Sequence, residues 1–354
     1  GVRTWQEDVY RDLHQHPELS GQEHRTAAVV ADRLALAGFE VTTGVGGTGV
    51  VGILRNGDGP SVLLRADMDG LPVLEDTGLP YASREVATPS GGGNPVPVAH
   101  ACGHDMHTAC LLGAAQLLAL AQKDWRGTLI ALFQPAEETV DGARGMVADG
   151  LAELVGHVDV VLGQHVTPLP AGTVATKSGP FFSAADCIRV TVHGRGGHAS
   201  MPQACIDPVV LAASIVLRLQ GIVSREIDPA EPAVVTVGSI TAGTKANIIA
   251  DKAELQINIR TYSESTRATI LAAIRRIVTG ECAASNSPRE PEFEMFDRAP
   301  LTDNDADVTD EVTETFTDTF GQGRVIEPPR LMGSEDFSDI ANGVHAPYTF
   351  WLFG

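Results

Sequence analysis

The stretch GTLIALFQPAEE, residues 127–138, begins as an aliphatic run and ends in two adjacent carboxylates. Its length, and the Gly127 and Pro135 that bound it, predict a buried strand running straight into a glutamate pair. Two further stretches repeat the pattern. SVLLRADMDG (61–70) reads as a strand ending at Asp67 and Asp69, and VDVVLGQHV (158–166) as a strand with His165 at its end. Between the first two of these strands, TACLLGAAQLLALAQ (108–122) has the length and composition of a helix, and TAAVVADRLALAGF (26–39) predicts another that stops at Gly38. Strands alternating with helices predict an α/β fold with a largely parallel sheet flanked by helices.

In such sheets ligands bind in the crevice outside the carboxyl ends of the strands. Asp67 and Asp69, Glu137 and Glu138, and His165 each follow a predicted strand, while Cys102 and His104 lie in HACGHDMHTA (100–109), a loop feeding the helix. An isolated histidine is usually a satisfied core or surface residue. Four segments delivering ligand-type side chains to one edge instead predict a metal site. The alternative for the glutamate pair is a solvated turn, and the apolar strand leading into it makes that the weaker reading.

From about residue 182 the pattern changes. ADCIRVTVHG (185–194), IDPVVLAASIVLRLQGIV (206–223), AVVTVGSI (233–240), AELQINIRTY (253–262), STRATILAAIRRIV (265–278) and PEFEMF (291–296) give the order βαββαβ, a ferredoxin-like unit. Acidic helical sequence follows, so residues 182–296 are expected to be an inserted lid or dimerisation domain. Residues 1–181 and 297–354 then form a discontinuous catalytic domain. The glycine runs GVGGTG, SGGGNP and GRGGHAS lack the strand and helix context of phosphate loops.

The chain has 354 residues, 43% of them hydrophobic, enough for two cores. A formal charge of −20 opposes binding to nucleic acid or an anionic membrane, leaving small molecules as the expected partners. Five cysteines without framework spacing are expected to be reduced thiols. No apolar run is read as a membrane span and no signal peptide is seen at the start, so a cytoplasmic location is expected.

Seven segments, LHQHPELSGQEHRTA, LLRADMDGLPVLEDTGLPYAS, HACGHDMHTA, FQPAEETVDGARGMVADG, GRGGHASMP, KANIIADKAELQINIRTY and MGSEDF, occur in this order along nearly the whole chain. Together they resemble the metal-dependent aminoacylase and carboxypeptidase superfamily. Within it they resemble the amidohydrolase branch of hippurate hydrolases, auxin-conjugate hydrolases and bacterial N-acyl amino acid aminoacylases. VSREIDPAEPAVVTVGSI (223–240) is similar to bacterial aminoacylases acting on N-acyl-glutamine.

The resemblance implies two divalent metal ions, zinc first, with manganese, cobalt or nickel as alternatives. It places metal ligands at Cys102, His104, Glu138 and His165, and a general base at Glu137 that serves a metal-bridging hydroxide attacking the amide of an N-acyl amino acid. Asp67 is expected to orient the His104 ring. His198 is implied as an oxyanion stabiliser, often acting across a subunit boundary, and Asn247 and Arg260 as substrate contacts, with Arg260 gripping an α-carboxylate. For Arg260 a strand-edge salt bridge is the competing expectation, and Asp105 and His107 are equally readable as helix-start residues without chemistry. A homo-oligomer formed through the inserted domain is expected. A dipeptidase or carboxypeptidase, and a non-catalytic binder of acylated amino acids, are the alternative functions. The resemblance also places a further metal-binding histidine after a strand like YTFWLFG (348–354), whereas the sequence ends at Gly354 and His345 precedes that strand. A truncated chain with an incompletely supplied metal site is therefore expected.

Overall fold

The computed structural model describes residues 2–354, which divide into two compact units. The first comprises residues up to Phe181 together with Thr302–Arg330 and Glu335–Gly354; the second comprises Phe182–Leu301 and Leu331–Ser334.

The first unit is built on an eight-stranded sheet. Its middle four strands, in spatial order Gly127–Gln134, Ser61–Asp67, Val160–Val166 and Tyr348–Phe353, are mutually parallel. Glu40–Val45 and Gly49–Asn56 add an antiparallel hairpin at one side, and GVGGTG is its turn. Both faces of the middle strands are covered, which is why they read as unbroken apolar runs instead of alternating ones. The helices Arg3–Gln15, His24–Leu36 and His104–Leu120 bury Leu13, Val30, Leu34 and Leu112 against Phe133, Ala66 and Leu54 of the sheet. The helix expected from residue 108 starts four residues earlier, at His104, so Asp105 and His107 lie in its first turn, as does His104, which had been expected in a loop.

The second unit has the order βαββαβ and one antiparallel sheet, with Ala233–Ala242, Lys252–Thr261, Ala184–His193 and Glu292–Ala299 side by side. In Lys252–Thr261 every second residue, Ala253, Leu255, Ile257 and Ile259, is buried in one apolar core with Leu211 and Ile215 of the Pro208–Leu219 helix and Ile270 and Ile274 of the Glu264–Ala284 helix. Period-two alternation therefore turns Gln256, Asn258 and Arg260 to the other face. The unit extends past the expected boundary at residue 296, because Glu292–Ala299 stays paired with Ala184–His193 as far as Ala185 opposite Ala299. It also takes in Leu331–Ser334, whose carbonyls at Met332 and Gly333 accept from the Ser183 hydroxyl. Neither feature has a local sequence signal.

The helical stretch Pro208–Glu226 is long and apolar enough, by length and composition alone, to match a membrane span. Its inward residues Leu211, Ala212, Ile215, Leu219 and Ile222 fill the second unit's core, while Val209, Val210 and Leu217 on the same stretch are exposed.

Candidate metal centre

Parallel register brings the carboxyl ends of the middle strands to one edge of the sheet, and the ligand-type side chains gather there. Arg65 and Asp67 are two residues apart and so share a strand face. Arg65 is fully buried. Its guanidinium donates to Asp67 Oδ2 at 2.7 Å, Gln134 Oε1 at 2.9 Å, Glu335 Oε1 at 2.7 Å and Asp336 Oδ1 at 3.3 Å. Burial alone would push the Asp67 carboxyl up, but Arg65, His104 and His107 hold it well below the usual carboxylate range.

After Gln134 the chain turns sharply. Ala136 adopts a positive φ of 50° and donates its N–H to the buried Glu23 at 2.9 Å. Gly142 packs so tightly that an added Cβ would lie 1.6 Å from the Pro135 carbonyl oxygen. After this bend the carboxylates of Glu137 and Glu138 both reach toward His104 Nε2. The Glu138 N–H donates to Asp69 Oδ2 at 2.9 Å, and the Ser20 hydroxyl donates to the same oxygen at 2.7 Å.

On the opposite wall, Gly103 precedes the helix with φ 83°, and a side chain there would strike Val166 Cγ1 at 2.4 Å. The next residue, His104, has Nδ1 3.0 Å from Asp69 Oδ1. Asp69 therefore fixes the ring, with Nε2 turned to the site. Asp67 had been expected in that role; its hydrogen bond goes to His107 Nδ1 at 2.6 Å, and its nearest approach to His104 Nε2 is 3.6 Å. His107 Nε2 accepts the Val166 N–H at 2.8 Å, so its Nδ1 carries the proton and the ring is a neutral brace between two strand ends. In agreement, burial pushes its pKa down to about 4. With both nitrogens engaged, His107 has no lone pair left for a metal.

The remaining donors face one another. Cys102 Sγ lies 3.4 Å from His165 Nε2, and His165 Nδ1 is occupied by the Val166 carbonyl at 2.5 Å. His104 Nε2 lies 3.9 Å from both Glu138 Oε1 and Glu137 Oε2. Burial would raise the Cys102 thiol, but the neighbouring His104 and His165 rings bring it below its ordinary value, toward the thiolate. The Glu137 carboxyl is pushed well above the usual range, first by burial and then by Glu335 and Asp336. A cation beside it would reverse that push.

A metal fits these residues on two observations. His104 Nε2 and Glu138 Oε1 are buried ligand atoms without a hydrogen-bond partner, which is costly unless something else satisfies them. Cys102, His104 and His165 form one converging group and His104, Glu137 and Glu138 another, a donor chemistry of thiol, imidazole and carboxylate that suits zinc.

In the second unit, His198 and Asn247 are adjacent. His198 pairs with Ile248 in a two-residue ladder, Ala199 donates to the Asn247 carbonyl at 3.0 Å, and the exposed His198 ring contacts the Ser200 hydroxyl at 2.7 Å. Arg260 donates to Asn258 Oδ1 at 3.0 Å, Ser334 Oγ at 2.6 Å and the Met332 carbonyl at 3.1 Å. These partners are all neutral. The strand-edge salt bridge is not found among the described residues.

Residues 63–354 match the description of peptidase family M20/M25/M40. The chain is 38% identical over 358 residues to thermostable carboxypeptidase 1 of Saccharolobus solfataricus, covering all of this chain and 86% of that protein. It is 37% identical over 347 residues to hippurate hydrolase of Campylobacter jejuni, covering 97% and 87% respectively. The solved structure of a Bacillus subtilis protein, described as a dinuclear metal binding peptidase of this family, superimposes with a TM-score of 0.82 at 31% identity, covering 100% of this chain and 89% of that one. The chain belongs to peptidase family M20/M25/M40, and its resemblance to the amidohydrolases of that family stands.

Proposed function

We propose that the chain hydrolyses the amide bond of N-acyl amino acids, with divalent metal held by Cys102, His104, Glu138 and His165 and with Glu137 as general base. One observation carries the reading: two buried, unpartnered ligand atoms, His104 Nε2 and Glu138 Oε1, converge beside Glu137 where the strands end. A divalent ion held there supplies Lewis acidity toward the amide carbonyl and toward water. Glu137 takes the proton of the attacking water and delivers it to the leaving amine. Asp69 keeps His104 and the Glu138 backbone in place, and the Arg65 network keeps Asp67 ionised beside them. Two ions are proposed because a relative of the same fold is described as dinuclear, and zinc is proposed from the donor set.

His198, Asn247 and Arg260 are the proposed substrate contacts. An Arg260 fork with only neutral partners is suited to a substrate carboxylate. Assembly into a homo-oligomer through the second unit is supported by its edge strand Ala233–Ala242, which has no strand on its outer side among the described residues. Residence in the cytoplasm is supported by five free cysteines.

The 38% identity to a carboxypeptidase favours a second reading, cleavage of a C-terminal residue from a peptide, which places the same carboxylate next to the scissile amide. A panel of N-acyl amino acids, dipeptides and N-blocked peptides, assayed with zinc, manganese, cobalt and nickel in turn, tests both. The expected result is kcat/KM about tenfold or more higher for N-acyl amino acids, the loss typical of a misfitted group. The reverse order establishes the carboxypeptidase reading. Tight binding with no turnover under any metal establishes a binder.

A further inference from the structure

Between Asp69 and Cys102 the chain makes an excursion whose base is closed by reciprocal hydrogen bonds between Leu71 and Ala99, at 2.9 and 3.0 Å. Its first turns are gathered by Glu75, which accepts the Ser83 N–H at 2.6 Å and the Thr77 hydroxyl. The same carboxylate lies 3.1 Å from His14 Nε2 on the Arg3–Gln15 helix. The other nitrogen of that ring, Nδ1, lies 2.6 Å from Asp105 Oδ2, in the first turn of the helix that begins at His104.

A neutral imidazole donates from one nitrogen only, so it would set a lone pair against one of the two carboxylates. Two carboxylates on two ring nitrogens require both N–H groups. His14 is only 9% exposed and its ring lies against Tyr10 at 5.7 Å and Tyr81 at 5.4 Å between centroids, so water does not replace either contact cheaply.

We propose that His14, carried as the imidazolium, is a positioning residue that pins the 72–98 excursion to the first turn of the His104 helix, and that the pin releases as the solution becomes alkaline. The charged and titratable groups around it agree. Asp105 and Glu75 are the anions. Tyr10, on the same helix, is pushed up to about 12 by burial and stays neutral, and Arg11 lies 6.0 Å from the Tyr81 ring. His100, buried nearby, is disfavoured as a cation first by burial, with His14 adding repulsion. The Asp105 hydrogen bond outweighs burial and raises His14 above its ordinary 6.5. The stability it contributes is therefore fully present below about pH 6.5 and is lost as pH rises through the raised value.

The inference goes beyond the hydrolase reading, and its test needs neither metal nor substrate, so the two fail separately. Ring-proton NMR of the full chain, with His14 assigned by its loss in His14→Gln, should give a midpoint above 6.5. Amide exchange, expressed as protection relative to intrinsic rates, should show residues 72–98 losing about tenfold protection between pH 6 and pH 9, the worth of one charged hydrogen bond. In Glu75→Gln the carboxamide can donate to a neutral His14, so the pH-dependent loss should shrink to less than about threefold. Should His14→Gln fail to fold, exchange in wild type and Glu75→Gln still decides. A midpoint at or below 6.5, protection that does not change with pH in the wild type, or an undiminished change in Glu75→Gln overturns the proposal.

Discussion

Both units have apolar cores, and they differ in how much charge they bury: the second holds Asp186, paired with Arg267 at 2.6 Å, and His193. The second unit's core is a continuous set of aliphatic side chains, Leu211, Ile215, Leu255, Ile257, Ile259, Ile270 and Ile274 among them. The first unit has an apolar core of its own, but at the strand ends it also buries Arg65, Asp67, Asp69, His104, His107, Glu335 and Asp336. Burying apolar surface stabilises any fold, whereas burying charge costs free energy unless every member is paired. Dense buried charge at one sheet edge therefore marks the place shaped by chemistry, and the other core marks a scaffold.

The largest effect expected from this contrast is at the base. Glu137→Gln keeps all four proposed ligands and should lower kcat by roughly 10²–10⁴ with metal content near wild type, measured by steady-state kinetics and elemental analysis on one preparation. Loss of metal in step with activity would make Glu137 a ligand instead. Next is the buried charge itself. Arg65→Met leaves Asp67, Glu335 and Asp336 without their cation, and a denaturant titration should show about 3–5 kcal/mol lost. A loss under about 1 kcal/mol would mean that the network is not what balances this edge.

Ile257→Ala breaks the other side of the comparison. It should cost about 2–5 kcal/mol in the second unit by removing a fully buried aliphatic side chain, while the metal affinity of the first unit stays unchanged. Altered metal binding in this variant would erase the division between scaffold and site. Smallest is Arg260→Lys, which should lower kcat/KM about tenfold on substrates bearing an α-carboxylate and much less on amides without one. Equal losses on both would assign Arg260 to structure.

Much of this edge was legible because a strand is easy to read and its end is easy to find. GTLIALFQPAEE and VDVVLGQHV place Glu137, Glu138 and His165 without any knowledge of neighbours, and HACGHDMHTA announces ligand chemistry by its composition. What escaped depends on contacts between distant segments. Asp69, not Asp67, orients His104, and the local sequence RADMDG does not tell the two aspartates apart. In sequence His107 reads equally as a helix-start residue without chemistry, and only the Val166 N–H on its Nε2 reveals a brace. Arg65 meets Glu335 and Asp336 across 270 residues, so MGSEDF could be recognised as a motif without its carboxylates having a partner. Separations of 149 to 151 residues from Ser183 likewise hid Leu331–Ser334 from the second unit's boundary.

The strand-end edge is proposed as a metal-dependent centre for amide hydrolysis. Its most direct test is one titration: the chain is stripped with a chelator, zinc is added back in steps, and bound metal and hydrolysis of an N-acyl amino acid are read on the same sample. Hydrolysis should be negligible in the stripped protein and recover in step with occupancy, with both occupancy and recovery abolished in Glu138→Gln combined with His104→Ala. Hydrolysis that persists at full rate without metal, or full occupancy in that double variant, would contradict it.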